Sequence, residues 1–131
     1  VWNVIMEERT PEELEWYMER FAVLIQICLD ENQKTLKHPY DTEVVVTKGR
    51  KYWKIMVNED HSRDYPHFKG KLSDQRTRIF GFVRREDGAI LRAADMKAPE
   101  TRTKNPVRGY IWEEDAADTF SWTGINYDMA T

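Results

Sequence analysis

The sequence predicts an α+β fold in which a long N-terminal helix packs on a four-stranded antiparallel β-meander, with a short C-terminal helix. Three observations support this prediction. A helix-start signal precedes a run of apolar residues at helical spacing, and several β-branched segments alternate with turn residues. A chain of 131 residues with 40% hydrophobic content is also long enough for one core, so we expect a single domain over residues 1–131.

The helix is predicted to begin at Thr10. Thr10 and Glu13 have the spacing of a capping box, and Pro11 suits the first helical position. Apolar residues then recur at helical spacing to about Asn32.

Two features of this helix predict self-association. The segment LIQICL, residues 24–29, is apolar on nearly every side, which indicates burial on two sides, either under a sheet or in a subunit contact. Trp16 lies off the main apolar stripe and is a candidate interface residue, the alternative being a partly exposed tryptophan without a partner protein. Together with the aromatic C-terminal tail, these features lead us to expect a homo-oligomer.

Four strands are predicted after the helix, over residues 43–48, 51–57, 77–84 and 89–94. Gly49-Arg50 and Asp87-Gly88 are the turns within the two predicted hairpins. Asn58–Asp74 is predicted as a long polar excursion between the hairpins, and Lys97–Arg108 as an irregular basic loop. The acids at the start of residues 113–120 favour a short helix there.

Charge divides the chain into three parts. Residues 1–47 hold 10 acids and 4 bases, residues 48–108 hold 8 acids and 16 bases, and residues 109–131 hold 5 acids and no base. The balances of -6, +8 and -5 sum to the net charge of -3. A basic middle in an acidic protein indicates an anionic ligand, and the acidic ends are expected to dock against the middle, within the chain or between copies.

The composition and the motifs of the chain indicate its cellular location and whether it is an enzyme. The chain has one cysteine, Cys28, no apolar run of about 18 residues and no signal-peptide pattern at its N-terminus, so we expect a cytoplasmic protein with no membrane partner. No nucleophile elbow or phosphate-binding loop pattern occurs, and we expect neither catalysis nor a cofactor.

His61, Asp64 and His67 are candidate metal ligands in the predicted polar excursion. Two imidazoles and a carboxylate can ligate zinc, but their spacing differs from that of closed zinc sites. We therefore expect an ordinary polar loop and no metal.

The third predicted strand offers a basic and aromatic surface. Alternation places four side chains on one face: Arg78, Phe80, Phe82 and Arg84. Phe80 is expected in the core, whereas Phe82 is equally suited to the core and to stacking on a base. Across the hairpin, Arg92 falls beside Gly81, where the missing side chain leaves room for a ligand or another chain.

The basic loop supplies the remaining candidates. Lys97 and Arg108 are predicted to meet phosphate oxygens, and Gly109 permits close backbone approach beside Arg108. Asn105, Tyr110 and Trp112 are predicted to add base-edge contacts and stacking. Arg102 and Lys104 are expected to remain solvated.

Four segments resemble a family of short bacteriophage proteins. They are GRKYWKI (49–55), FGFVRREDGAILRAADMKAP (80–99), RGYIW (108–112) and SWTGINY (121–127). Their order and spacing are similar to those of a family that includes the Thoeris anti-defence sponge proteins. That resemblance covers roughly Val44–Tyr127.

The resemblance implies a protein that sequesters a cyclic ADP-ribose-type messenger, and in some members also cyclic oligonucleotides, as an oligomer without catalysis. It implies that Phe82 stacks on the adenine and that Arg108 meets the pyrophosphate, with Lys97 and Arg92 neutralising charge. The long Asn58–Asp74 excursion departs from the family pattern. So does Asp95-Met96, which stands where a small residue followed by an aromatic is usual.

Two other functions remain open from the residues alone. A factor that binds nucleic acid or a host defence nuclease would use the basic middle to follow a phosphate backbone, with binding that weakens steeply with salt. A virion or assembly component is the other alternative.

Overall fold

The computed structural model describes residues 9–61 and 75–126. In these ranges a helix packs against a five-stranded antiparallel sheet, and a two-stranded hairpin follows. The α+β class is therefore confirmed, while the predicted sheet lacked one strand. The elements are α1 (Pro11–Gln33), β1 (Asp41–Lys48), β2 (Tyr52–Asp60), β3 (Gln75–Arg84), β4 (Ala89–Leu91), β5 (Val107–Tyr110), a 3-10 helix (Ala116–Thr119), β6 (Phe120–Ser121) and β7 (Gly124–Ile125).

Helix α1 begins with the predicted capping box. The Thr10 hydroxyl accepts a hydrogen bond from the Glu13 N–H at 3.1 Å, and the Glu13 carboxylate accepts one from the Thr10 N–H at 3.2 Å. The buried face of α1 follows helical spacing: Leu14, Met18, Phe21, Ile25 and Leu29. No helix in the described ranges combines the length and apolarity needed to cross a membrane.

The sheet has the order β1-β2-β3-β4-β5, so neighbours in sequence are neighbours in space. In β2 the buried side chains of Trp53, Ile55 and Val57 belong to the core cluster that includes the buried face of α1. The alternate residues Tyr52 and Lys54 are half-buried and belong to the opposite face of the sheet.

A β-bulge at Phe80 overturns the predicted alternation of the third strand. Ile55 pairs with Gly81 but Met56 pairs with Ile79, so Phe80 has no residue opposite it. The extra residue sends Phe80 into the core beneath α1, while Phe82 is buried outside that core cluster. The prediction that Phe80 and Phe82 share a face was therefore wrong.

The chain after β4 also differs from the prediction. The fourth strand ends at Leu91 because the backbone turns into a loop closed by a bridge between Ala93 and Pro99. The end of the predicted basic loop forms β5. The sequence of this strand, VRGY, contains an arginine and a glycine and has no strong β-strand pattern. The predicted C-terminal helix is a 3-10 helix of four residues, and β6 and β7 follow it.

The predicted excursion between the hairpins is partly structured. Strand β2 continues through Asp60, and β3 begins at Gln75. Residues 62–74, including Asp64 and His67, lie outside the described residues.

The C-terminal hairpin occupies the space above Gly81. A Cβ built on Gly81 would lie 2.4 Å from Cγ1 of Ile125 and 3.1 Å from the carbonyl oxygen of Leu91. The missing side chain therefore makes room for Ile125 of the same chain rather than for a ligand or another chain, contrary to the prediction made for Arg92.

Gly81→Ala is expected to lower the free energy of unfolding by about 1–3 kcal/mol, because the new methyl group overlaps Ile125. Urea denaturation measures this. The cost should be clearly smaller in an Ile125→Ala background, where Cγ1 is absent. Equal costs in the two backgrounds would show that Ile125 does not set the requirement for glycine.

Candidate anion-binding site

Arg108 and Asn105, two of the seven predicted ligand residues, contact each other. The Arg108 guanidinium donates to the carbonyl oxygen of Asn105 and, at 3.1 Å, to that of Asn126. A Cβ on Gly109 would lie 2.8 Å from Cγ2 of Thr119, so the close approach at this glycine is made by the chain itself. Arg108 thus fastens β5 to the loop before it and to the C-terminal segment.

Phe82, Arg92 and Lys97, three further predicted ligand residues, differ in solvent exposure. Phe82 is only 2% exposed, so its ring has no open face for stacking in this chain. Arg92 is half-buried just after β4, and Lys97 is exposed in the loop that follows.

Tyr110 and Trp112 form an aromatic pair next to a cation. Their ring centroids are 5.0 Å apart with planes inclined by 28°, and the Arg9 guanidinium lies 4.2 Å from the centroid of the Trp112 ring. The indole N–H of Trp112 donates to the carbonyl oxygen of Asp87 at 2.9 Å. Trp112 thereby holds Arg9 through a cation–π contact beside the turn that follows β3.

Several cations surround a cavity at the end of the sheet where β1 and β3 terminate. We call it the basic cavity. Its volume is about 500 Å³, within the range of small-molecule sites. Three chain segments meet there: the start of α1, the β1–β2 turn and the end of β3. The lining residues are Arg9, Pro11, Leu14, Arg50, Lys51, Tyr52, Arg84, Arg85 and Glu86. Five of the nine are bases and one is an acid.

Arg85 joins two of these segments. Its backbone N–H donates to the carbonyl oxygen of Lys51 at 2.8 Å, and its guanidinium donates to those of Gly49 at 2.7 Å and Arg50 at 3.2 Å. The Arg85 Nε is buried and has no hydrogen-bond partner among the described residues. Arg85 therefore fixes the β1–β2 turn, and with it Arg50 and Lys51, beside its own strand.

Arg84 is held by Asp87 in a bidentate pair, with N–O distances of 3.0 and 2.7 Å. Partial burial raises the pKa of the Asp87 carboxyl, but hydrogen bonds from Arg84 and from the Ala89 N–H lower it more, leaving a net pKa below the ordinary aspartate value. The same pairing raises the pKa of Arg84. Asp87 thus keeps one cation of the basic cavity in place.

The N-terminus of α1 contributes little to an anion site in spite of its position. Pro11 has no N–H, and the Glu13 and Leu14 N–H groups already bond to Thr10. Of the first helical N–H groups this leaves that of Glu12, so anion binding in the basic cavity would depend mainly on Arg and Lys side chains.

The opposite end of the same strands carries acids. A cavity of about 540 Å³ there is lined by Asp41, Glu43, Glu59 and Asp60, with Arg76 as its base. His61 lies 3.3 Å from the Glu59 carboxylate and stacks on Tyr40. Among residues 9–61 and 75–126, no cluster of His, Cys, Asp and Glu could hold a metal ion.

The basic cavity and the predicted ligand residues are different parts of the chain. None of the seven predicted residues lines the basic cavity, although Tyr110 and Trp112 adjoin it through Arg9. A usable signal was present, since Gly49-Arg50-Lys51 and Arg84-Arg85 follow alternate strands of a meander. Alternate strands of an antiparallel sheet run in the same direction, so their ends meet at one edge.

Comparison with protein-family models, curated proteins and solved structures found no match to this chain. The case for the site therefore depends on its geometry and charge.

Asp87→Asn is expected to lower the free energy of unfolding at neutral pH. The pKa of Asp87 is lower in the folded than in the unfolded protein, so its carboxylate stabilises the fold fully above the unfolded pKa and progressively less as the pH falls through the folded pKa. The difference between wild type and variant should therefore shrink as the pH falls from about 5 to about 2. Urea midpoints across that range measure the effect. Glu86→Gln, a change at an exposed neighbour in the same turn, is the control. Parallel stability curves for wild type and Asp87→Asn would contradict the assigned pairing.

Proposed function

We propose that this protein binds a compact phosphorylated ligand in the basic cavity and holds it without catalysis. The observation that carries the proposal is a ligand-sized cavity lined by five bases and one acid. Two like charges several ångströms apart at a protein surface repel each other by about 0.5–2 kcal/mol. A ligand with two or three negative charges would relieve that repulsion while gaining charge-assisted hydrogen bonds.

The shape of the charge distribution favours a small anion over a long one. The cations converge on a concave site, while acids line the cavity at the far end of the same strands. A nucleic acid extending along the sheet would pass from attraction into repulsion, whereas a nucleotide-sized ligand would stay within the positive region.

An aromatic side chain at the basic cavity supports a ligand with a base. Tyr52 is half-buried, lines the cavity and contacts Phe82 edge-on, with ring centroids 6.0 Å apart. We assign the stacking role expected of Phe82 to Tyr52, with Phe82 packed against it.

The more specific form of the proposal comes from the resemblance to Thoeris anti-defence proteins. In this form the ligand is a nucleotide second messenger, such as a cyclic ADP-ribose isomer, which a phage protein sequesters in the cytoplasm of the infected bacterium. Messenger sequestration requires tight binding, and nanomolar affinity corresponds to about -12 kcal/mol.

Isothermal titration calorimetry with pyrophosphate, ADP, cyclic ADP-ribose and a cyclic oligonucleotide tests the proposal. Binding of at least one nucleotide is expected, and Arg50→Ala or Lys51→Ala should each weaken it by about tenfold, or about 1.4 kcal/mol. Both residues are exposed, so their loss should leave folding intact.

Arg102→Ala and Lys104→Ala are the matched controls, because these exposed bases do not line the cavity. They should change affinity by less than about twofold, since distant surface charges are screened by salt. Absence of heat with all four ligands would refute the proposal, as would equal losses in the cavity and control variants.

A further inference from the structure

The outward face of α1 carries an apolar stripe. Trp16, Val23 and Ile27 are 60%, 57% and 52% exposed. Spacings of seven and four residues place them on one side of the helix. Single exposed apolar residues are common on protein surfaces, but three large ones aligned on one helix indicate a contact surface.

The charges around this stripe are mostly negative. Helix α1 contains six acids and one base, a balance of -5, and its base, Arg20, is half-buried. Glu12, Asp30 and Glu31 are exposed near the two ends of the stripe. We call this surface the helix face. Two helix faces brought together would repel each other, so its charge fits a basic partner.

The loop after β4 carries the opposite charge. Residues 92–106, which we call the basic loop, contain four bases and two acids, a balance of +2. Lys97, Arg102 and Lys104 are exposed, and Met96 is 44% exposed among them. The basic loop therefore offers an apolar residue surrounded by cations, the complement of the helix face.

Hydrogen bonds give the basic loop a defined shape. The Ala94 N–H donates to the carbonyl oxygen of Ala98 at 3.0 Å, and the Glu100 N–H donates to that of Arg92 at 2.8 Å. The Asp95 carboxylate accepts from the N–H groups of Lys97 and Ala98 at 2.7 and 3.0 Å. A surface ordered before binding loses less conformational entropy in a complex.

The basic loop and the helix face do not cover each other within one copy. Trp16, Val23 and Ile27 on the helix face are 60%, 57% and 52% exposed, and Met96 in the basic loop is 44% exposed. A contact between the two surfaces of one copy would bury these side chains. Both surfaces are therefore available to another copy.

We propose that copies of this protein associate head to tail, with the basic loop of one copy docked on the helix face of the next. Met96 contacts the apolar stripe, and Lys97, Arg102 and Lys104 approach the acids of α1. Each copy keeps one free surface of each kind, so the contact builds a ring if its rotation closes and a chain if it does not. This association is independent of the proposed ligand, because neither surface includes the bases of the basic cavity.

Sedimentation velocity on two surface variants tests this arrangement. Trp16→Lys with Ile27→Lys alters the helix face, and Lys97→Glu with Lys104→Glu alters the basic loop. All four residues are exposed, and circular dichroism checks that both variants fold. Wild type should associate at low salt and dissociate at high salt, and each variant alone should be monomeric.

The decisive sample is an equimolar mixture of the two variants. One intact helix face and one intact basic loop then remain, so a one-to-one dimer and nothing larger should form. Trp122→Lys, at another exposed tryptophan, and Arg50→Glu, at an exposed base outside the loop, are controls and should associate like wild type.

Three results would overturn the proposal. One is a wild type that stays monomeric at low salt and tens of micromolar protein. Another is a loop variant that associates like wild type, which would indicate a symmetric contact between helix faces. The third is a mixture that stays monomeric although wild type associates.

Discussion

The hydrogen bonds that Arg85 donates to the β1–β2 turn are the interaction on which the proposed site depends. They link the end of β3 to Gly49, Arg50 and Lys51, and so place cations from two separate hairpins around one cavity. Confining these charges costs free energy. The fold offsets part of that cost through the carboxylate of Asp87 and through the Trp112 ring beside Arg9. The remaining positive potential is available to an anion.

The bulge at Phe80 decides which side of the sheet the two phenylalanines of β3 occupy. By adding one residue to β3, it sends Phe80 into the core under α1 and Phe82 toward the opposite side. Gly81 then admits Ile125, so that the C-terminal hairpin packs on β3 on the side of α1. Phe82 on the other side packs against Tyr52, which lines the basic cavity at the strand ends.

Local signals in the sequence predicted most of the fold. The capping box at Thr10 and the Asp87-Gly88 turn each depend on a few neighbouring residues, and the structure contains both. The bulge and β5 were missed because each depends on partners distant in sequence, such as Ile55 for the bulge. The short helix predicted after residue 113 is present, but as a 3-10 helix of four residues. The candidate site also depends on residues that are distant in sequence. The charge count located a basic middle, but only the pairing of strands shows which of its cations converge.

The most direct test of the account is a ¹⁵N-HSQC titration of the labelled protein with pyrophosphate, compared with sodium chloride at equal ionic strength. If the basic cavity binds the anion, the largest pyrophosphate-specific shifts fall on the amides of residues 50–52 and 84–86 and on that of Arg9, in the segments that line the cavity. Shifts centred on residues 97–108, or shifts that sodium chloride reproduces, would contradict it.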